Sequence, residues 1–89
     1  MGEMASVDEV RAGVQHATGK AGESVGALQQ AISALEEARQ TFAQVMQGTS
    51  QSDAGQVDGL LQQALQSIGD AQQTVNAAVS TAESLASRL

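Results

Sequence analysis

The chain contains no proline, cysteine, tryptophan or tyrosine, and only one phenylalanine among its 89 residues. Without proline, nothing in the backbone interrupts a long helix. Without cysteine, a disulfide framework and a thiolate metal site are both excluded. Large apolar side chains are also scarce, because 16 residues are Ala and only 18 are Val, Leu, Ile or Phe. So few large apolar residues predict a structure that is marginal alone and gains stability by association.

Positive charge is scarce as well. Lys and Arg number 4 against 10 acidic residues, which gives a net charge of −6 at pH 7. This balance disfavours nucleic acid and anionic lipid as partners, since both are bound by clustered basic side chains. No apolar run approaches the roughly 20 residues of a membrane-spanning helix. We therefore expect no membrane insertion.

Two seven-residue repeats run through almost the whole chain. The first places Val7, Val14, Ala21, Leu28, Leu35 and Phe42 at one position. The second repeats Leu61, Ile68, Val75, Ala82 and Leu89. In both, Ala, Val or Leu mostly recurs three residues later, which is the a/d pattern of helices that pack along a narrow seam. The repeats predict an all-α fold of two long antiparallel helices, a single helical hairpin over residues 6–89.

Capping signals set the predicted boundaries. Ser6 followed by Glu9 is a capping box that begins a helix. Gly48 suits the left-handed position that ends one, and Asp53 with Gln56 offers a second capping pair. The expected elements are helix 1 (about 7–47), a turn (48–52) and helix 2 (about 53–88). A second Met at position 4 indicates that residues 1–5 are a disordered N-terminus or a cloning remnant.

Four glycines between positions 13 and 26 leave an alternative open. A break near Thr18 and Gly19 would shorten the first helix and give a three-helix bundle. However, Val14, Ala21 and Leu28 keep one helical phase through the glycines, which a loop has no reason to preserve. The phase favours one continuous helix.

The register of the two repeats predicts the hairpin core. With the fold point near residues 51 and 52, the strong positions meet in pairs: Phe42 with Leu61, Leu35 with Ile68, and Leu28 with Val75. These six residues are the predicted core, because every large a-position side chain finds a counterpart on the other helix.

The apolar stripe is wider than the seam of a two-helix hairpin requires. A single neighbouring helix covers only a narrow seam, so surplus apolar residues indicate further neighbours. The candidate partner interface consists of Val25, Ile32, Met46, Leu60, Leu65, Val7 and Val10. We therefore expect the chain to associate with itself as a homodimer, or with a related helical hairpin, and to form a four-helix bundle.

Residues suited to chemistry are few. His16 is the only histidine and is expected to face solvent. A Glu-x-x-His metal pair fails because position 13 is Gly. The segment from Gly13 to Lys20 lacks both the spacing and the Ser or Thr of a phosphate loop. The sequence therefore predicts no catalytic residue, metal, cofactor or small-molecule substrate, and a protein that is not an enzyme.

Charged pairs on the outer faces are expected to be structural. Glu36 can pair with Arg39, and Lys20 with Glu23, each three residues apart on a helix surface. A catalytic carboxylate pair would need a cleft and a desolvated acid, and the sequence builds neither around Glu36 and Glu37.

In size, acidity, proline-free helices and a central turn, the chain resembles the ESAT-6/WXG100 group. These are small helical hairpins exported by type VII secretion, which dimerise into four-helix bundles and lack classical signal peptides. Their turn carries Trp-x-Gly, and here Met46-Gln47-Gly48 has Met in place of Trp. Their C-terminal export motif is Tyr-x-x-x-Asp/Glu, and the nearest match, Val79 to Glu83, lacks the aromatic residue.

Two functions follow as expectations. The first is a non-enzymatic helical interaction protein, associated with type VII secretion, that acts through dimerisation. The alternative is a cytosolic coiled-coil scaffold or regulatory protein that homodimerises. The N-terminus lacks the apolar core of a classical signal peptide, so the expected location is the cytoplasm, or outside the cell after export without such a peptide.

Overall fold

The computed structural model of the protein describes residues 6–48 and 51–89. Over these ranges the chain forms two α-helices, α1 (Val7–Val45) and α2 (Gln51–Ser87), and no strand. The predicted all-helical hairpin is confirmed. The helices run antiparallel, because Arg11 near the start of α1 bonds to Leu89, whereas Arg39 near its end bonds to Asp58. The expectations for residues 1–5 and for turn positions 49–50 lie outside the described residues.

The first helix is continuous through its glycines. α1 passes positions 13, 19, 22 and 26 without a break, so the hairpin is observed and the three-helix alternative is not. Its start is fixed by the predicted capping box. The Glu9 N–H donates to Ser6 Oγ at 3.1 Å, and the Ser6 N–H donates to Glu9 Oε1 at 3.3 Å.

Both ends of the turn lie two residues before their predicted positions. α1 ends at Val45 because Met46 leaves the helical conformation, with φ −93° and ψ 4°. Gly48 then has a φ of 86°, the left-handed region that glycine adopts without steric cost. Since α2 already begins at Gln51, Asp53 lies in its first turn rather than at the N-cap. A carboxylate there still suits the positive end of the helix dipole.

The seam between the helices differs from the predicted a/d seam. On α1 the half-buried residues at an a position, or four residues after one, are Val14, Thr18, Ala21, Val25, Leu28, Ile32, Leu35 and Arg39. On α2 the matching set is Asp58, Leu61, Leu65, Ile68, Gln72, Val75, Val79 and Ala82. These sets follow the a position and the position four residues later, which is e. Several residues at the predicted d position are exposed instead: Ala17, Ser24, Val45, Ala71, Ala78 and Leu85.

Side-chain size explains this choice of seam. The e positions carry Val25, Ile32 and Leu65, whereas the d positions are mostly Ala. Burying a larger side chain removes more apolar area from water, at about 25 cal/mol per Å². Turning the e positions inward therefore buries more apolar surface than turning the d positions inward. Even so, no described residue of this hairpin is buried.

Candidate interaction surface

One edge of the seam is polar. Arg39 Nε donates to Asp58 Oδ1 at 2.5 Å, and Arg39 Nη2 donates to Asp58 Oδ2 at 3.3 Å. Gln62 Nε2 also donates to Asp58 Oδ2, at 2.8 Å. Arg39 therefore bonds across the hairpin to Asp58, and the predicted partner Glu36 on its own helix adds a weaker electrostatic attraction. A cross-helix carboxylate offers two oxygens to the guanidinium fork, which is a stronger arrangement than an exposed i, i+3 pair.

This ion pair shifts the pKa values of both side chains. The hydrogen bond from Arg39 is the main reason that the pKa of the Asp58 carboxyl lies below its usual value, and Gln62 adds to the shift. The same bond raises the pKa of Arg39. Both side chains are more than one third exposed, at 38% and 44%, so solvent screens their attraction. The pair fixes the register near the turn and contributes only modestly to stability.

Three further hydrogen bonds join the two arms of the hairpin. Gln72 Nε2 donates to the Val25 carbonyl oxygen at 3.4 Å and to Gln29 Oε1 at 3.3 Å. At the open end, Arg11 Nη2 donates to the Leu89 carbonyl oxygen at 2.8 Å. The seven-residue repeats alone did not predict these contacts or the role of Asp58. Their signal was present, because Arg11, Arg39, Asp58 and Gln72 are polar residues at e positions.

The opposite side of the seam is an open apolar face. Its members are the exposed large apolar side chains of the described residues: Val7, Phe42, Val45, Leu60, Leu85 and Leu89. All of them occupy position a, d or g of their repeat, and none occupies b, c or f. In an antiparallel pair the d and g positions of both helices lie on one side of an a/e seam and the b and f positions on the other. Val45, Leu60 and Leu85 therefore share one side of the hairpin, and Val7, Phe42 and Leu89 lie at a positions on the seam that borders it.

The predicted partner-interface residues divide between the seam and this face. Val7 and Leu60 lie on the open apolar face, 47% and 58% exposed. Val25, Ile32, Leu65, Met46 and Val10 are half-buried in the hairpin itself. Val25, Ile32 and Leu65 lie at e positions of the seam. The hairpin therefore packs residues between its own helices that were predicted to contact a partner.

The predicted core residues are only partly covered. Leu28, Leu35, Leu61, Ile68 and Val75 are half-buried. Phe42 is 44% exposed and lies beside the turn, in a recess that Arg39 and Asp58 also line. The contact of Leu35 with Ile68 stays a prediction.

Among the recesses between the helices, two bear on the interaction surface. The first is beside the turn, has a volume of about 350 Å³, and is lined by Phe42, Met46, Val57 and Leu61 with the Arg39–Asp58 pair at its rim. The second, of about 180 Å³, is lined by Ala17, Thr18, Ala21, Ala78, Val79 and Ala82. Ala17 and Ala78 both occupy d positions, so this second recess shows that the two d rows lie on the same side of the seam.

The remaining predicted features are found on the surface. His16 is exposed. Lys20 Nζ lies 3.6 Å from Glu23 Oε1, which confirms that predicted pair. Across residues 6–48 and 51–89, no three His or acidic side chains cluster closely enough to hold a metal ion. Neither described helix is apolar over a length that could span a membrane.

Comparisons with known proteins give no identity. No family model, no curated protein and no solved structure matches this chain.

Proposed function

We propose that this protein is a non-enzymatic helical interaction protein that acts by dimerising through its open apolar face into a four-helix bundle. The observation that carries the proposal is the burial pattern. No described residue is buried in the single hairpin, while Val45, Leu60 and Leu85 are exposed at d and g positions on one side of the seam. A contiguous exposed apolar patch rimmed by polar residues is typical of an interaction site.

The surface area supports a partner of similar size. The hairpin exposes 6358 Å². A folded monomer of 9.1 kDa is expected to expose about 4,900 Å². The excess, roughly 1,500 Å², exceeds the ~800 Å² that each partner contributes to a standard interface. Association along one face of the hairpin would therefore remove about half of this excess.

Some apolar positions of each helix pack within the hairpin and others stay exposed. This difference supports two separate packing interfaces on each helix. Bundle helices carry apolar residues at a and d together with e or g. Here most a and e positions pack within the hairpin, whereas part of the d row remains exposed together with Phe42 and Leu60: Ala17, Ser24, Val45, Ala71, Ala78 and Leu85. A second hairpin on that side would complete the bundle around each helix.

Light scattering over a range of concentrations tests the proposal. Wild-type protein is expected to be a dimer at tens of micromolar. The double variant Val45→Glu/Leu85→Glu places charges on the open apolar face at positions exposed in the single hairpin. It should be monomeric, whereas the matched control Asn76→Glu, at an exposed b position, should remain dimeric. A wild-type protein that stays monomeric at these concentrations contradicts the proposal.

Within this proposal, two biological settings follow from the sequence. The first is that of a type VII secretion-associated hairpin. It is supported by the placement of Met46-Gln47-Gly48 at the end of α1, where Gly48 makes the turn with a φ of 86°. The alternative is a cytosolic coiled-coil scaffold or regulatory protein, for which the same dimer would serve as an assembly unit.

Immunoblotting of culture medium and cell lysate distinguishes the two settings. Intact protein in the medium, without release of a cytosolic marker, supports secretion. Retention of all detectable protein in the lysate, in a host whose type VII system exports a control substrate, supports the scaffold.

A further inference from the structure

A groove runs along the polar edge of the seam beside the turn. The recess of about 350 Å³ that Phe42 and Leu61 line forms its deeper part. A neighbouring recess of about 260 Å³ continues it towards Glu36, since Arg39 and Asp58 line both recesses. We call this continuous surface the turn groove. Its size falls within the range of about 300–1,000 Å³ that is typical of binding clefts.

The turn groove faces away from the open apolar face. Its exposed lining residues occupy b or f positions of the repeats: Glu36, Gln40, Ala43, Gln47 and Gly55. These positions lie on the other side of an a/e seam from the d and g positions. A second hairpin packed on the d and g positions would leave the turn groove open. The groove is therefore a surface separate from the proposed dimer interface.

The turn groove exposes the single phenylalanine of the chain. Phe42 is 44% exposed, and Met46 beside it is half-buried. Aromatic and Met side chains are enriched at the centres of protein interfaces, and Met adapts its shape to different partners. Ala43 and Gly55 on the groove wall have almost no side chain. The groove therefore admits a large apolar side chain from outside.

The charge around the turn groove is negative. Residues 36–58 hold four acidic residues and one basic residue, a net charge of −3: Glu36, Glu37, Asp53, Asp58 and Arg39. The basic residue is bonded to Asp58, and no other Lys or Arg occurs between positions 21 and 87. Four carboxylates thus share one cation beside an apolar recess. This combination favours a partner that carries both an apolar side chain and positive charge.

We propose that the turn groove binds a basic amphipathic helix of another protein, which inserts one large apolar side chain against Phe42 and places Lys or Arg beside Glu36. Such helix-in-groove recognition takes its affinity from a few apolar anchors. A second copy of this chain does not match this occupant, because its net charge is −6. Two of its cations also bond within their own chain, Arg11 to the Leu89 carbonyl oxygen and Lys20 to Glu23. The proposal does not depend on the dimer.

Tryptophan fluorescence of a model peptide tests the proposal. The chain has no Trp or Tyr, so the tryptophan emission of a mixture comes from the peptide alone. The probe is a helical peptide of Ala and Lys, about 15 residues long, with one central Trp. On addition of the full chain, its emission should shift to shorter wavelength as the indole enters the recess, and the affinity should fall with added salt. The same peptide with Glu in place of every Lys should not bind, and the peptide with Ala in place of Trp should not compete.

Gly55→Leu places a side chain in the groove, and Gly69→Leu is its matched control. Both glycines occupy b positions of α2, and a Cβ at either would meet nothing within 4 Å. Both changes raise helix propensity, so neither should impair folding. Gly55 lines the groove whereas Gly69 lies two heptads away. Gly55→Leu should weaken binding of the Lys peptide by at least about tenfold, and Gly69→Leu should leave it unchanged.

Glu36→Gln tests the charge contribution without filling the recess. It should weaken binding a few-fold and reduce the dependence on salt, because one carboxylate beside the groove is lost. Glu83→Gln removes the same charge at an exposed b position near the open end and should change neither quantity.

Four results would overturn the proposal. The wild-type chain does not shift the emission of the Lys peptide. The Glu peptide binds as tightly as the Lys peptide. Gly55→Leu and Gly69→Leu bind the peptide equally. N-acetyltryptophanamide binds as tightly as the peptide, which would make the recess a site for small aromatic molecules. Light scattering on the same samples reports the dimer separately, so peptide binding by a monomeric chain would contradict the proposed function and support the turn groove.

Discussion

At the scale of single residues, the Arg39–Asp58 pair makes a pH-dependent contribution to stability. The pKa of Asp58 is lowered in the folded chain, and the unfolded value is about 3.9. Its contribution to the free energy of unfolding is therefore fully present above that unfolded value, and it is lost as the pH falls through the lower, folded pKa. We expect Asp58→Asn to melt at a lower temperature than wild type at pH 7, with a gap that narrows below about pH 4.

Melting curves followed by circular dichroism between pH 2.5 and 7, at one protein concentration, measure this gap. Asp70→Asn is the matched control, because Asp70 is an exposed carboxylate on α2. It should show a smaller gap at pH 7. An Asp58→Asn gap that is the same at pH 3 and pH 7 would show that ionisation of Asp58 does not stabilise the hairpin.

The capping box makes a second residue-scale prediction. Ser6→Ala removes the acceptor of the Glu9 N–H and should lower the free energy of unfolding by about 1 kcal/mol. Ser33→Ala changes the same side chain at an exposed position inside α1. It should be neutral or slightly stabilising, because Ala has the higher helix propensity. Urea titration of both variants compares them, and equal midpoints would mean that the cap does not hold the helix start.

At the scale of the helices, glycine has opposite roles inside α1 and at the turn. A Cβ at Gly19 or Gly22 would meet nothing within 4 Å. Each change to Ala should therefore raise the free energy of unfolding by roughly 0.5–1 kcal/mol. Gly48 has the same open surroundings but a φ of +86°. Its change to Ala should lower the free energy by about 1–2 kcal/mol, the cost of a left-handed conformation.

Thermal melts of Gly19→Ala/Gly22→Ala and of Gly48→Ala measure these effects. The double variant should melt above wild type and the turn variant below it. Because none of the three sites has a neighbour for the new methyl group, packing cannot account for the difference in sign. A double variant that melts below wild type would indicate that α1 needs a flexible segment at these glycines.

At the scale of the helices, much of the fold could be predicted from the sequence. The seven-residue spacing from Val7 to Phe42 and from Leu61 to Leu89 was enough to place two continuous helices, and Ser6 and Gly48 were enough to place a start and a turn. These signals are local, because a cap or a helical phase depends on residues a few positions apart.

The choice between d and e positions could not be predicted in the same way. Each helix carries apolar residues at the a, d and e positions. The sequence alone does not reveal which two of these rows face the other helix of the same hairpin. The choice depends on comparing Val25, Ile32 and Leu65 with the alanines of the d rows across a tertiary contact. The Arg39–Asp58 bond is equally non-local, since it joins residues on different helices. Predicting such contacts requires the register of one helix against the other, which the seven-residue repeats predicted only approximately.

At the scale of the whole molecule, the hairpin is too extended to stand as a compact domain. Its radius of gyration is 20.2 Å, against about 12 Å for a compact chain of 89 residues. The single hairpin is two helices thick and leaves every described residue at least partly accessible. In the proposed dimer a second hairpin would thicken the molecule and cover the apolar face, so folding and association should occur together.

Coupled folding and association predict a melting temperature that depends on concentration. Unfolding two 89-residue chains should absorb about 125 kcal/mol near 60 °C, from ~0.7 kcal/mol per residue. For a dimer that dissociates as it unfolds, each tenfold rise in concentration then raises the melting temperature by about 4 °C. Circular dichroism between 1 and 100 micromolar protein measures this slope. The Val45→Glu/Leu85→Glu variant should show little helix and no melting transition at these concentrations, and a flat wild-type profile would mean that the single hairpin folds unaided.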